Sequence, residues 1–227
     1  MISCMNMGAI AAAVKTIASS IPTDGLVLEW SFDSITGSTV NDTSPIATHS
    51  GTISGASVVT GKKGNALSFD GVDDFCSTPD SSDLRQSIFS VSFWIKTTTT
   101  LNMVIAEKDG NSGWSIQTTT YGHLPGAGKI LMACGGGGAS YVYGTTQINN
   151  GEFHHIVLIN NGSSDKCYID NVDVSNKSTA GNPIYSTGPL ILGQRVGNVA
   201  PFPGVIDQFR FYNRALTATE VTQLYNE

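Results

Sequence analysis

Apolar and polar positions alternate along most of the chain at the two-residue period of a half-buried strand. Leu26, Leu28, Trp30 and Phe32 fall on one face of a first strand. Val91, Phe93 and Ile95 alternate with Ser90, Ser92 and Trp94, the pattern of a central strand. Shorter runs of the same kind cover 66–69, 75–78, 104–107, 114–118, 130–133, 141–145, 153–159, 166–169 and 190–193. Turn formers separate them: Asp109-Gly110-Asn111, the glycine run Gly135–Gly138, and Asp170-Asn171, which reads as a two-residue hairpin turn. In the last strand, simple alternation puts Val205, Asp207, Phe209 and Phe211 on one face. Ile206, Gln208, Arg210 and Tyr212 take the other. Asp207 then breaks an apolar face and needs a partner, because an unpaired buried charge is costly. Beyond it the period changes. Thr217 and Glu220 have the spacing of a capping box, and Val221 and Leu224 form the apolar stripe of a short helix. The pattern predicts an all-β domain closed by a short C-terminal helix.

Residues 1–22 stand apart from this alternation. Ile10, Val14 and Ile17 recur at helical spacing in an Ala-rich stretch, which predicts an N-terminal helical leader. It begins without positive charge and Lys15 interrupts its apolar run, unlike a secretory signal. A helix this short is marginal alone in water, so it must pack on something. The reading favoured is an anchoring segment that docks into a larger assembly; packing on its own domain is the alternative. Pro22 and Gly25 mark the boundary, giving a leader over 1–22 and one domain over 23–227.

Several segments resemble the laminin-G-like (concanavalin-A-like) jelly-roll domains. Gly25–Asp33 (GLVLEWSFD) is similar to the family's opening strand. Gly61–Phe75 (GKKGNALSFDGVDDF) resembles its G-K-x-G-x-A-L-x-F-D-G-x-D-D-Y, and Phe89–Thr97 (FSVSFWIKT) its F-T-V-S-F-W-V-K-T. Gly151–Asn171 resembles its G-x-W-H-H-V-V hairpin, and Phe202–Tyr225 its G-x-I-D-E-V-R-I-Y-N-R-A-L ending. These blocks run in family order over about 25–227. The resemblance implies a two-sheet antiparallel β-sandwich. It says little of function, since this fold hosts many activities. It also implies that the first and last strands lie side by side, bringing Asp33 and Asp207 together. Relatives hold a structural calcium near that seam. The resemblance therefore implies Ca²⁺ on Asp33 and Asp207, with Asp42 of the adjoining loop as a further oxygen donor. Strand-end caps on backbone N–H groups are the alternative.

Composition narrows the picture. The chain has 227 residues, 40% hydrophobic and only 13% charged, which suits one β-sandwich with a weakly charged surface. A net charge of -6 and the absence of a Lys/Arg run argue against nucleic acid as a partner. No apolar segment reaches the roughly 20 residues that span a bilayer. Cys76, Cys134 and Cys167 sit in or at the ends of strand-like runs and read as buried thiols, with Cys4 in the leader.

Catalysis finds little support. The glucanase relatives carry E-x-D-x-x-E on one strand face, and none of Glu29, Glu107, Glu152, Glu220 or Glu227 has Asp two residues on. His154 and His155 alternate to opposite faces, and His49 and His123 read as lone loop histidines. Asp70, Asp73 and Asp74 read as an acidic, solvated turn or a second cation site. Sugar binding needs flat aromatic faces beside amides and hydroxyls. Tyr121, His123, Tyr141 and Tyr143 offer these in Gly-rich loops, with Asn149 beside them; partial burial or a subunit contact would look the same. At least two of Trp30, Trp94 and Trp114 read as core. The expected function is a non-catalytic, lectin-like module that binds a glycan or cell-surface polysaccharide. Its setting would be a virion or extracellular surface, joined to other subunits through 1–22. The alternatives are a secreted bacterial carbohydrate-binding module or a glycoside hydrolase-like enzyme.

Overall fold

The computed structural model describes residues 20–109, 112–119, 126–135, 140–162, 164–177, 182–185 and 187–227. Residues 1–19 of the 1–22 leader lie outside them. In chain order the strands are β1 (Leu26–Trp30), β2 (Ile35–Thr36), β3 (Thr39–Val40), β4 (Gly51–Ser54), β5 (Ser57–Thr60), β6 (Asn65–Asp70), β7 (Phe75–Thr78), β8 (Phe89–Lys96) and β9 (Val104–Lys108). Then come β10 (Trp114–Thr119), β11 (Lys129–Cys134), β12 (Ser140–Gly144), β13 (Phe153–Asn160), β14 (Lys166–Ile169), β15 (Val172–Asp173), β16 (Ser175–Lys177), β17 (Leu190–Leu192) and β18 (Pro203–Tyr212), followed by helix α1 (Ala218–Tyr225). They form two antiparallel sheets. One is eight-stranded, in the order β15-β14-β13-β8-β18-β6-β5, with β1 also paired to β18. The other is ten-stranded, in the order β16-β12-β11-β10-β9-β17-β7-β4-β3-β2.

The core lies between the sheets, where the inward halves of the alternating patterns meet. Val91, Phe93 and Ile95 of β8 face Ile116, Ile130, Met132 and Leu190. Rings form its centre: Phe89 lies 5.5 Å from Phe211 and 5.6 Å from Trp114, and Trp30 lies 6.0 Å from Phe209. Trp30 and Trp114 are thus core residues, as the pattern predicts. Trp94 points to the outer side of the eight-stranded sheet and stacks on Tyr225 at 5.7 Å. Cys76, Cys134 and Cys167 are buried thiols with no disulfide among them. Burial pushes Cys76 and Cys167 well above the ordinary thiol range.

Two bulges correct the simple alternation. The register of β18 shifts between Asp207 and Arg210, where Gln208 takes a φ of 51°. Ile206, Phe209 and Phe211 therefore enter the core. Asp207 pairs across to Trp94 and Arg210 to Ser92, on the outer side. Asp207 does not share a face with the phenylalanines. In β1 the register shifts between Leu26 and Leu28, so Leu26 leaves the face of Leu28, Trp30 and Phe32. It joins a second cluster with Val157, Ile159, Tyr212, Val221 and Leu224, which seats α1 on the outer side of the eight-stranded sheet. The helix begins at the expected capping box: the Thr217 N–H donates to Glu220 Oε2 at 2.8 Å, and the Glu220 N–H returns to Thr217 Oγ1 at 3.3 Å. Asp170 and Asn171 form the two-residue turn with φ of 51° and 65°.

Candidate functional site

The outer side of the ten-stranded sheet carries the first candidate. Val142, Met132, Ile116 and Ala106 point into the core, so their neighbours point out. The register lines up Tyr141, Ala133, Ser115, Glu107, Ile191 and Ser77 as one cross-strand row. Tyr143, Leu131 and Gln117 form the next row. Tyr141, Tyr143, Ala133 and Gln117 are partly exposed. Leu131 and Ile191 are buried yet belong to neither apolar cluster; Leu131 lies between Tyr143 and Gln117, and Ile191 lies beside Glu107 on the far side from the tyrosines. Gln117 Nε2 donates to Ser115 Oγ at 2.7 Å, holding the amide flat on the sheet. The result is a shallow platform with ring faces at one side and hydroxyl and amide groups beside them.

A hairpin closes the other side of the platform. Arg195 and Val199 bond through their backbones across a tip where Gly197 and Asn198 take positive φ. The hairpin is fastened to the sheet by Glu107, which is wholly buried. Glu107 Oε2 accepts from Arg195 Nε at 3.1 Å and Oε1 from the Val196 N–H at 2.8 Å. Burial pushes the Glu107 carboxyl up, and these two donors pull it back. Sequence reading passed over both residues. The available signal was a carboxylate at an outward position in the otherwise apolar start of β9.

The second candidate is the seam between β18 and the turn Gly61–Gly64. Asp207 is fully buried, and its Oδ2 accepts from the Lys63 N–H at 2.9 Å. Asp33 Oδ1 accepts from the Asn65 N–H at 2.7 Å. A Cβ at Gly61 would lie 2.4 Å from Asp207 Oδ2, and one at Gly64 would lie 2.0 Å from Asp33 Oδ1. Only glycine lets this turn approach both carboxylates. Asp207 Oδ1 is buried with no hydrogen-bond partner among the described residues. Burial first, then the Asp33 charge, pushes the Asp207 carboxyl up to about 6, against the pull of the Lys63 and Gln208 N–H groups. Asp42 belongs to another arrangement. Its Oδ1 accepts from the Glu29 and Ser44 N–H groups at 3.0 and 2.9 Å, and its Oδ2 from His49 N–H at 3.0 Å. It clips the 42–49 loop onto β1, and both its oxygens are engaged.

The remaining candidates have structural duties. Asp70, Asp73 and Asp74 place carboxylate oxygens within 4.8 Å of one another. There Asp74 Oδ2 accepts from the Asp70 N–H at 2.8 Å and Asp70 Oδ1 from the Val72 N–H at 2.7 Å, closing the turn. His154 and His155 do face opposite ways. His155 is buried on the outer side under Tyr225, bonded to Ser92 Oγ at 3.0 Å, and burial pushes it down to about 3. His154 bridges Asp170 and Asn150 at 2.7 and 3.0 Å. His49 is not a lone histidine: its Nε2 lies 2.9 Å from Asp83 Oδ2, beside an open depression of about 420 Å³ lined by Thr78, Asp80 and Ser81. Asn149 packs against Gly128. Tyr121 and His123 lie outside the described residues.

Residues 70–222 match the model of the Concanavalin A-like lectin/glucanases superfamily, a laminin-G-like family, and the chain belongs to it. No curated protein matches the chain. Among solved structures it is similar to the binding domain of Paraclostridial Mosquitocidal Protein 1 (18% identity, TM-score 0.71), covering 90% of this chain and 52% of that one. It is similar to domain 4 of an extracellular GH43 arabinanase from Geobacillus stearothermophilus, solved with arabinotriose (23% identity, TM-score 0.67), covering 88% and 98%. It is also similar to the binding domain of botulinum neurotoxin DC, solved with SialylT (14% identity, TM-score 0.70), covering 90% and 52%. The chain thus spans about half the length of the two toxin domains. Likeness at these identities is likeness of fold.

The Asp207 finding gives a pH signature. Its carboxyl holds a proton more tightly in the folded chain, about 6 against an ordinary 3.8, so metal-free stability falls as pH rises through that window. The fall attributable to Asp207 is at most about 3 kcal/mol. With chelator present, Asp207→Asn should match the wild type in melting temperature near pH 4 and exceed it at pH 7. A variant less stable than wild type at pH 7 contradicts an unpaired buried charge.

Proposed function

We propose that the chain is a non-catalytic, lectin-like module that binds a glycan on the outer side of its ten-stranded sheet. The observation that carries this is the platform between Tyr141 and Tyr143 on one side and the Arg195 hairpin on the other, with Leu131, Ser115 and Gln117 between them. Sugar rings present apolar C–H faces and polar edges, and the platform offers ring faces beside hydroxyl, amide and guanidinium groups. Family membership supports the reading, as do the arabinotriose-bound and SialylT-bound domains of the same fold. Glycoside hydrolysis needs two carboxyl groups about 5–10 Å apart across one bond. Among the described residues of β9–β12, Glu107 is the one outward carboxylate, and Arg195 and Val196 hold both its oxygens. A glycan array should yield ligands. Tyr141→Ala and Tyr143→Ala should each weaken binding about two- to tenfold, the size of one aromatic contact. Unchanged affinity in both variants moves the site elsewhere.

A structural Ca²⁺ at Asp33 and Asp207 belongs to the same reading. The residues fit it: a buried carboxylate oxygen lacking a donor among the described residues, a second carboxylate beside it, and a glycine turn that brings backbone close to both. The ion would offset the repulsion between the two carboxylates and fasten the 61–64 turn to β18. Excess Ca²⁺ should raise the melting temperature, by an amount set by mass action at about 2.7 kcal/mol for 100 times Kd. Asp207→Asn should abolish the rise. No shift with Ca²⁺ leaves the pair as strand-end caps.

The setting we propose is the surface of a virion or other extracellular assembly, with residues 1–22 as anchor. The support is the helical spacing of Ile10, Val14 and Ile17. Among the described residues no helix is long and apolar enough to cross a membrane. Deleting 1–22 should leave a domain that still folds, losing only the contact of Ile21 with the second cluster, and abolish incorporation or oligomerisation. An unaltered oligomeric state would remove the anchor role.

A further inference from the structure

Arg195 is held in an unusual way for a residue at the edge of a binding face. Its Nε bonds a carboxylate that is entirely buried, while its side chain keeps 28% of its surface in solvent. The second oxygen of Glu107 accepts from the Val196 N–H, so both its oxygens are held from within the protein. The clamp engages the Nε edge of the guanidinium. The two terminal amino groups have no hydrogen-bond partner among the described residues, and they form the two-pronged donor that suits a carboxylate. The fork is preorganised, so little side-chain freedom remains to be lost on binding.

The charge on this side of the sheet agrees. Along β9, β10 and β11 the outward ionisable side chains are Glu107 and Lys129, and Arg195 is laid over Glu107. Arg195 and Glu107 offset one another and Lys129 adds a positive charge, in a chain of net charge -6. Lys129 lies four residues along β11 from Ala133 and two strands from Glu107, on the order of 15 Å away. Lys129 therefore adds a second, separate positive charge to this side of the sheet.

Resting on the glycan reading above, we propose that the ligand is an acidic glycan and that Arg195, positioned by Glu107, is the group that selects its carboxylate. Gln117 and Ser115 then meet the hydroxyl edge of the same sugar unit. Neutral sugars lose this contact and bind weakly, since a guanidinium desolvated without an acceptor is unfavourable.

The test uses the full chain and a defined probe set of sialyllactose and oligogalacturonate, each beside its carboxyl-reduced, neutral counterpart. Calorimetry should show binding to the acidic members and roughly tenfold or more loss on carboxyl reduction, the size of a charge-assisted hydrogen bond. Affinity should also fall as salt rises. Arg195→Gln should remove the preference for the acidic member. That variant strands a buried carboxylate, so the double variant Glu107→Gln with Arg195→Gln must give the same loss while melting as a folded domain. Equal affinity for acidic and neutral members, or an acid preference that survives in both variants, overturns this inference and leaves the glycan reading intact. Absence of binding to every member here and to every glycan of the wider array overturns both.

Discussion

The bulge at Gln208 sets the arrangement of everything around it. β18 lies in the middle of the eight-stranded sheet, hydrogen-bonded to β8, β6 and β1, so its facing fixes theirs. Strict alternation would have put Asp207 in the core with Phe209 and Phe211. One residue at φ 51° turns the strand by half a period between Asp207 and Phe209. The phenylalanines then complete the ring cluster with Trp30, Phe89 and Trp114. Asp207, Arg210 and Tyr212 emerge on the outer side, where Arg210 meets three partners. Arg210 gives Nε to Glu29 at 2.7 Å, Nη1 to Glu227 at 2.8 Å and Nη2 to Gln208 at 2.7 Å. So the bulged residue itself helps satisfy the buried guanidinium, while Asp207 Oδ1 and the Tyr212 hydroxyl are buried without a partner among the described residues.

The two outer faces are used in different ways. That of the eight-stranded sheet is closed. Helix α1 covers Leu26, Val157, Ile159 and Tyr212, and Tyr225 lies over Trp94 and His155. Lys62 adds its ammonium 4.7 Å from the Trp94 ring. That of the ten-stranded sheet has rings and amides left partly open, and among the described residues the hairpin fastened by buried Glu107 lies over it. The binding function we propose falls on the side that the C-terminal helix does not occupy.

Much of this was legible in the chain. Two-residue alternation identifies strands wherever one side is buried and the other is not, and Val142 inward places Tyr141 and Tyr143 outward. The Asp170-Asn171 turn and the Thr217–Glu220 cap depend on local chemistry and formed as expected. Asp33 and Asp207 were paired through the family likeness rather than through spacing. What the sequence hid was either non-local or conformational. Glu107 and Arg195 are 88 positions apart, and His49 and Asp83 are 34 apart, so no window of sequence shows either pair. Gln208 carries no side-chain signature of positive φ, unlike Gly or Asn. Asp42 accepts from the Ser44 N–H two residues on, a local Asx turn whose Asp-x-Ser spacing is visible in the chain.

The central claim is positional: ligand meets the ten-stranded sheet on its outer side. The most direct measurement is an NMR titration of the labelled chain with a glycan that binds. Backbone and side-chain amide shifts should move at Ser115, Gln117, Leu131, Tyr141, Tyr143, Arg195 and Val196, and stay still around Trp94, Tyr225 and α1. Shifts confined to the eight-stranded sheet, or to the depression beside His49, would contradict the account.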